Sequence, residues 1–381
     1  YIVYLMKVSL LSENLQEKLL LVNHAVSNRS QLPILLNFLI KAEKGALSIS
    51  GTDLEIGIKI EVPSKIEEEG ETAVPAKTLT ELISTIPVGK ITLATKENGL
   101  ELTGDKIKTV FQTTKAEEFP KLYESKGEEM MVMGKDVVEK GFPKVVFAAS
   151  QDQSRPALSG VLIKEESEEN NLYVVIVATD GYRLSLKKNI FGKKERPKEK
   201  VSVLVPARVV RELILLTKGE DEVRAHIAKG NNQIVFTQND TTLVGRLVEA
   251  DYPDYGKIIP TDFSTRTIFE REELQKAIKA CYVFARTSAN IVKLSIKKEK
   301  IIVYVNAPQV GENTVEVEAK TTGEENEIAF NARYLLDLFS NIEEESMVFE
   351  MTGPLNPGVF KKANDDSFLH LIMPIRVQQE V

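Results

Sequence analysis

The chain has 381 residues, 43% apolar and 28% charged, and carries a formal charge of −7 from 49 Lys and Arg against 56 Asp and Glu. That length exceeds what one hydrophobic core usually serves, so two or three domains are expected, and no run approaches the roughly 18 uninterrupted apolar residues of a membrane span. The single cysteine, Cys281, excludes an internal disulfide framework and a multi-thiolate metal site, and it fits a reducing, cytoplasmic setting.

Taken in chain order, Tyr1 to Leu5 lack a basic start and a small-residue cleavage site, so they read as a prefix to a natural start at Met6, where a strand begins. Glu13 to Ser27 places leucines at helical spacing. Strands are predicted at Leu35 to Ile40, Ala46 to Ser50, Glu55 to Val62, Ile91 to Ala94, Leu100 to Thr103 and Ile107 to Gln112, with a helix from Lys77 to Ile86 between them. The pattern lapses at the polar stretch Tyr123 to Glu129. The middle third predicts helices at Lys135 to Ala149 and Ala207 to Lys218, the first interrupted by Pro143, which removes a hydrogen bond and favours a kink. Its charge runs, FGKKERPKEK at Phe191 and the acidic Glu165 to Glu169, read as a solvated loop and a hairpin tip. A second lapse, Gly256 to Ser264 with Pro260, precedes helices at Glu270 to Arg286 and Asn331 to Ser340. Three α+β domains are expected, 6–127, 128–257 and 258–381.

The thirds repeat one another. VPAKTLTELI at Val74, VPARVVRELI at Val205 and FNARYLLDLF at Phe330 begin 131 and 125 residues apart. GTDLEIG at Gly51 and ATDGYRL at Ala178 lie 127 apart, and EEFPKL at Glu117 and ADYPDY at Ala250 lie 133 apart. This is a domain-sized period, not that of a solenoid.

His24, His226 and His370 fall in no metal-ligand spacing and read as surface or packing residues, so neither metal nor cofactor is expected. Asp53, Asp180 and Asp254 are the carboxylates an enzyme would offer, yet there is no nucleophile elbow or phosphate-binding glycine loop, and Asp53 and Asp180 share one repeat position, which points to a turn or cap role. A net negative chain repels nucleic acid unless its basic residues are segregated. The six predicted helices hold thirteen Lys or Arg and ten Asp or Glu, leaving them at +3 and the rest at −10. In Ala207 to Lys218, Val210, Leu213, Ile214 and Thr217 form one face, and Arg208, Arg211, Leu215 and Lys218 another. A surface of such helices would follow phosphates without reading bases.

The repeat, together with RPALSGVL at Arg155, ATDGYRLS at Ala178, ADYPDYGKIIP at Ala250, FNARYLLDLF at Phe330 and LIMPIRV at Leu371, resembles the bacterial DNA polymerase III β subunit, the sliding-clamp family, from Met6 to Val377. The resemblance implies three tandem clamp domains, with helices inside and sheets outside a head-to-tail homodimeric ring around duplex DNA. It implies a non-catalytic processivity factor with no cofactor, whose partners are the polymerase III catalytic subunit, a clamp loader, and other polymerases and repair proteins carrying short hydrophobic peptides.

By motif, the implied peptide pocket takes Leu158, Thr179, Gly181, Tyr182, Arg183, Leu184, Pro253, Lys257, Ile258, Asn331, Tyr334, Pro357, Leu371, Met373, Pro374, Ile375 and Arg376. Tyr182 and Lys257 depart from the family's frequent histidine and arginine. The implied DNA-facing residues are Arg29, Lys77, Lys140, Arg155, Arg208, Arg211, Lys276 and Lys279, with Lys140 and its neighbour Lys144 weakened by Pro143. The ring seam would set the basic strand with Lys106, Lys108 and Phe111 against Val283, Phe284, Glu316 and Glu318. A three-domain peptide-binding scaffold that does not encircle DNA is the alternative; it predicts a monomer without retention on closed circular DNA.

Overall fold

A computed structural model describes residues 6–27, 29–43, 45–168, 171–190, 201–217, 219, 221–228, 232–363 and 365–376. The prefix Tyr1 to Leu5, the run Phe191 to Lys200, Lys218 and the tip beyond Glu168 lie outside the described residues. Within them every third runs strand, helix, strands, helix, three strands, the first third adding a strand at Lys65–Glu68.

Among the described residues the helices are α1 Ser12–Val22, α2 Ala76–Thr85, α3 Pro143–Val146, α4 Pro156–Ser159, α5 Ala207–Leu216, α6 Arg271–Ala285 and α7 Ala332–Ser340. The repeated motif explains α2, α5 and α7. Each follows a strand directly, starts on a buried alanine (Ala76, Ala207, Ala332) and buries the residue three further on (Leu79, Val210, Leu335), one turn away on the same face. Asn331 caps α7, its side chain accepting from Arg333 N at 3.0 Å. The helix predicted over Lys135 to Ala149 is instead a π-type turn, Asp136–Gly141, followed by α3 with Pro143 in its first turn. Proline has no N–H to donate backwards, so the coil widens before it and restarts at it. Likewise Pro33–Leu36 is a 3-10 turn, and the strand predicted from Leu35 begins at Asn37.

The chain forms two compact units, and the middle third contributes to both. The first holds a five-stranded sheet, in order Lys65–Glu68, Lys7–Leu11, Lys90–Lys96, Gly99–Thr103, Lys108–Phe111. Its eight-stranded sheet runs Glu128–Met133, Val223–Ala228, Gln233–Gln238, Thr241–Arg246, Ile56–Val62, Ala46–Thr52, Asn37–Glu43, Gly70–Pro75. The join between thirds is Thr241–Arg246 against Ile56–Val62, antiparallel with Leu243 opposite Ile58.

The second unit is built on a twelve-stranded sheet. Its order is Ser202–Pro206, Gly160–Glu168, Asn171–Thr179, Arg183–Ile190, Asp365–Ile372, Gly358–Lys362, Ser346–Met351, Thr265–Glu270, Gly311–Gly323, Lys300–Ala307, Ile291–Ile296, Asn326–Asn331. Here the join is Arg183–Ile190 against Asp365–Ile372, with Leu184 opposite Leu371. α6 and α7 close over a core that includes Phe269, Phe330, Phe339, Phe349 and Phe360, whose rings meet at 4.7 to 6.2 Å. Cys281 is buried in that core, and burial pushes its thiol up to about 11.

Candidate partner-peptide pocket

Thr179, Asp180, Gly181, Tyr182 and Arg183 form one tight turn between two strands of the second unit. Asp180 Oδ1 accepts from Tyr182 N at 2.8 Å and Arg183 N at 3.0 Å. Thr179 Oγ1 donates to Arg183 O at 2.6 Å and accepts from Gly181 N at 3.0 Å. Gly181 sits at φ +91°, where a side chain is strained, which is why glycine occupies the turn. A Cβ built there would lie 3.6 Å from Arg155 Nη1 and 3.8 Å from Leu158 Cδ1, so those two side chains border the turn. Asp180 therefore has the turn role that its repeat position predicted.

The turn projects Tyr182 outward, 57% exposed, and holds Arg183 inward, 9% exposed. Buried charge needs partners. Arg183 Nε donates to Asp180 Oδ2 at 3.1 Å, Nη1 to Asp337 Oδ2 at 2.6 Å and Nη2 to Phe147 O at 3.0 Å. Its guanidinium also lies 4.7 Å from the Tyr334 ring and 5.5 Å from the Phe147 ring. Burial and then the Asp180 charge raise the Tyr334 phenol.

The tail reaches the same place. Met373 N donates to Tyr182 O at 2.8 Å, and Met373 is 38% exposed. Ile375 N donates to Ala329 O at 2.8 Å, with Pro374 half-buried and Arg376 exposed. Leu184 and Leu371 are buried beneath, in an apolar cluster with Leu162, Val175, Val177 and Leu186, onto which Tyr252, Tyr255 and Ile259 pack from the following loop. Pro253, Lys257 and Ile258 are exposed on that loop, Lys257 paired with Asp254 at 3.0 Å.

Pro253 lines a cleft of about 540 Å³ with Lys164, Glu166, Tyr252 and Tyr255, while Pro357 lines a separate hollow of about 50 Å³ with Phe263, Glu350 and Lys361. Asn331 is spent as a helix cap. Asp337, Phe147, Tyr252 and Tyr255 were not singled out in the sequence, although Asp337 is the acid that the helix motif repeats in Glu81 and Glu212, and Tyr252 and Tyr255 stand in the repeated ADYPDY word.

Three models of the DNA polymerase III beta subunit match in succession, the N-terminal domain at 6–123, the central domain at 133–254 and the C-terminal domain at 256–376. The chain belongs to the DNA polymerase III beta subunit family. A beta sliding clamp of Synechococcus elongatus is 29% identical to it over 380 residues, covering 98% of this chain and 100% of that one. The crystal structure of the Bacillus subtilis DNA polymerase sliding clamp superposes with a TM-score of 0.90 at 27% identity, over 98% of this chain and 99% of that one. That of the Bartonella birtlesii DNA polymerase III subunit beta bound to griselimycin gives 0.91 at 26%, over 98% and 100%. The fold is therefore three tandem α+β clamp domains, as the repeat implied.

Among the basic residues that the family resemblance marked, Arg29, Lys77, Lys140, Arg155, Arg208, Arg211, Lys276 and Lys279 are all exposed. Lys77 pairs with Glu81 at 4.0 Å, Lys140 with Asp136 at 2.7 Å, Arg155 with Asp152 at 3.2 Å and Lys276 with Glu273 at 2.9 Å. Lys144 differs, being mostly buried and paired with Glu344. Of the seam residues, Lys106, Lys108, Val283, Glu316 and Glu318 are exposed and Phe284 is half-buried. Phe111 is only 4% exposed, so the apolar side chain which that strand offers outward is Val110, at 37%.

Proposed function

We propose that the chain acts as a sliding clamp: two copies close head to tail around duplex DNA and tether a DNA polymerase and other replication and repair proteins. One observation carries this reading. Within the chain, the last strand of one third twice pairs with a strand of the preceding third: Thr241–Arg246 with Ile56–Val62, and Asp365–Ile372 with Arg183–Ile190. Continuing the pattern requires Lys108–Phe111, last strand of the first third, to pair with Gly311–Gly323 of the third. Lys108–Phe111 ends its sheet, and the Gly311–Glu318 part of the other strand has one neighbour, Lys300–Ala307. Within one chain, each edge is left for a second copy.

Edges left open invite pairing. Lys106 and Lys108 on one edge and Glu312, Glu316 and Glu318 on the other carry opposite charge, and a heterologous contact that closes gives a ring. A closed ring is held by topology, so weak phosphate contacts from Arg29, Lys77, Lys140, Arg155, Arg208, Arg211, Lys276 and Lys279 suffice, and sliding is not opposed by tight binding. The net charge of −7 is then compatible with a DNA-encircling protein. Such a protein tethers and performs no chemistry of its own, works in the cytoplasm, and divides into domains near residues 127 and 257.

The partner site is the face around Arg183, with Leu158, Gly181, Tyr182, Met373 and the loop of Pro253, Lys257 and Ile258, and it takes a short peptide with an apolar end. Two experiments test the reading. Sedimentation of the wild type gives a dimer, and Val110→Glu or Val283→Glu gives a monomer; a monomeric wild type would remove the ring. A fluorescent QLSLF peptide binds saturably and the Arg183→Ala variant loses it; no binding by folded wild type would remove the pocket.

A further inference from the structure

We propose that the seam between two copies has a second half in the helical layer, where Val88 of one copy faces Ala280 of the other, at the place that the Glu344–Lys144 ion pair holds within the chain. This rests on the reading of the chain as a ring-forming dimer, and it gives the second copy two exposed residues that lie outside the strand edges. Val88 is 72% exposed. A single apolar residue in water needs no explanation, and what marks Val88 is its place in the repeat.

The correspondence is fixed by main-chain contacts. Leu11 pairs with Lys90 in the first third and Glu270 with Ser346 in the last, each just before the first helix of its third. The next residue closes the same contact in both, Ser12 N donating to Gly89 O at 2.9 Å and Arg271 N to Glu345 O at 2.8 Å. One residue before those two acceptors stand Val88 and Glu344. On the first helices, the buried series Val138, Phe142, Val145 of the middle third matches Leu274, Ile278, Cys281 of the last in spacing. Lys144 and Ala280, each one residue before the third member, therefore share a position, and so do Phe147 and Val283.

Within the chain, both of these positions reach the following third. Lys144 is ion-paired with Glu344, their side chains only 17% and 11% exposed, and Phe147 packs against the core of the last third. In the last third the same positions are open, Ala280 being exposed and Val283 52% exposed. In the first third Val88 is open where Glu344 is covered. A second copy, set against the seam that Val110 and Val283 already mark, covers all of them. Neither Val88 nor Ala280 can carry charge, so the joint between copies lacks the ion lock of the joint within the chain. The nearest charges along the chain are Lys90 and Lys279, both exposed.

The test is a double-mutant cycle on subunit exchange, followed by energy transfer after two dye-labelled populations of the full chain are mixed. Val88→Glu with Ala280→Lys rebuilds the inner pair at the seam. The double variant exchanges about tenfold more slowly than the product of the two single effects, because an opposed charge pair at a covered contact acts on dissociation. The reversed pair, Val88→Lys with Ala280→Glu, couples with the same sign, which separates a direct contact from a response to Lys90 and Lys279. Both positions are exposed in the single chain, so the variants keep the wild-type circular dichroism. Independent effects at the two positions in both pairs would overturn this inference while the dimer stands. A wild type that sediments as a monomer would instead overturn the ring reading and this inference with it.

Discussion

The turn at Thr52 to Ile56 and the turn at Thr179 to Arg183 are the same piece of backbone used for different ends. In both, aspartate accepts two main-chain N–H groups: Asp53 from Glu55 and Ile56 at 3.1 and 2.9 Å, Asp180 from Tyr182 and Arg183 at 2.8 and 3.0 Å. In both, threonine donates to the carbonyl four residues on, at 2.8 Å in the first and 2.6 Å in the second. The fifth residue differs. Ile56 enters the core of the first unit, whereas Arg183 enters a cage of carboxylates and aromatic rings in the second. The third residue differs too: Leu54 holds φ +78° where Gly181 holds +91°. The repeat supplies the turn, and the residues at its third and fifth positions set the two copies apart.

Breaking that difference has a graded cost. Arg183→Ala leaves Asp180, whose side chain is 14% exposed, without its cation, so the protein loses about 3 to 5 kcal/mol in urea unfolding as well as peptide binding. At the equivalent position of the first turn, Ile56→Val costs about 1 kcal/mol and leaves peptide binding untouched. Gly181→Ala forces an alanine into the left-handed region and costs about 1 to 2 kcal/mol.

Acid sharpens the contrast from below. Burial first, and then the Arg183 charge, hold His370 well below the usual histidine range. The unfolded chain takes up a proton near pH 6.5 that the folded chain refuses, so this contribution is complete above that pH and declines as pH falls below it, by up to about 1.4 kcal/mol per unit. Urea midpoints at pH 7.5 and 5.5 measure it, and His370→Gln removes that part of the slope. The smallest effect is Leu54→Gly, which relieves the left-handed strain in the bare turn and raises stability by about 1 kcal/mol or less. If it destabilises instead, the two turns are not equivalent.

Much of this was legible in the chain. Equal offsets between VPAK, VPAR and FNAR and between the two TD words gave the number of repeats, because a helix start and a turn each need particular residues at particular places. What sequence did not reveal was long-range. Nothing local to Thr241–Arg246 announces that it pairs with Ile56–Val62, some 180 residues earlier, so the sharing of the middle third between two units emerged only in three dimensions. Asp337 was passed over for the same reason, since its partner Arg183 lies 154 residues away. Phe111 read as a seam residue because strand alternation fixes which residues share a face but not which face is covered. Pro143, by contrast, announced its break correctly, being a local effect.

A ring held on DNA by topology stays on a closed circle and slides off a cut one, so retention on DNA reads it out. The protein is incubated with nicked circular plasmid, ATP and a bacterial clamp loader and separated from free protein by gel filtration, before and after the plasmid is cut once. A topologically held ring elutes with the circle and is lost on linearisation, even at a salt concentration that abolishes ordinary phosphate binding. Equal retention on circular and linear DNA, or none on either, would contradict it.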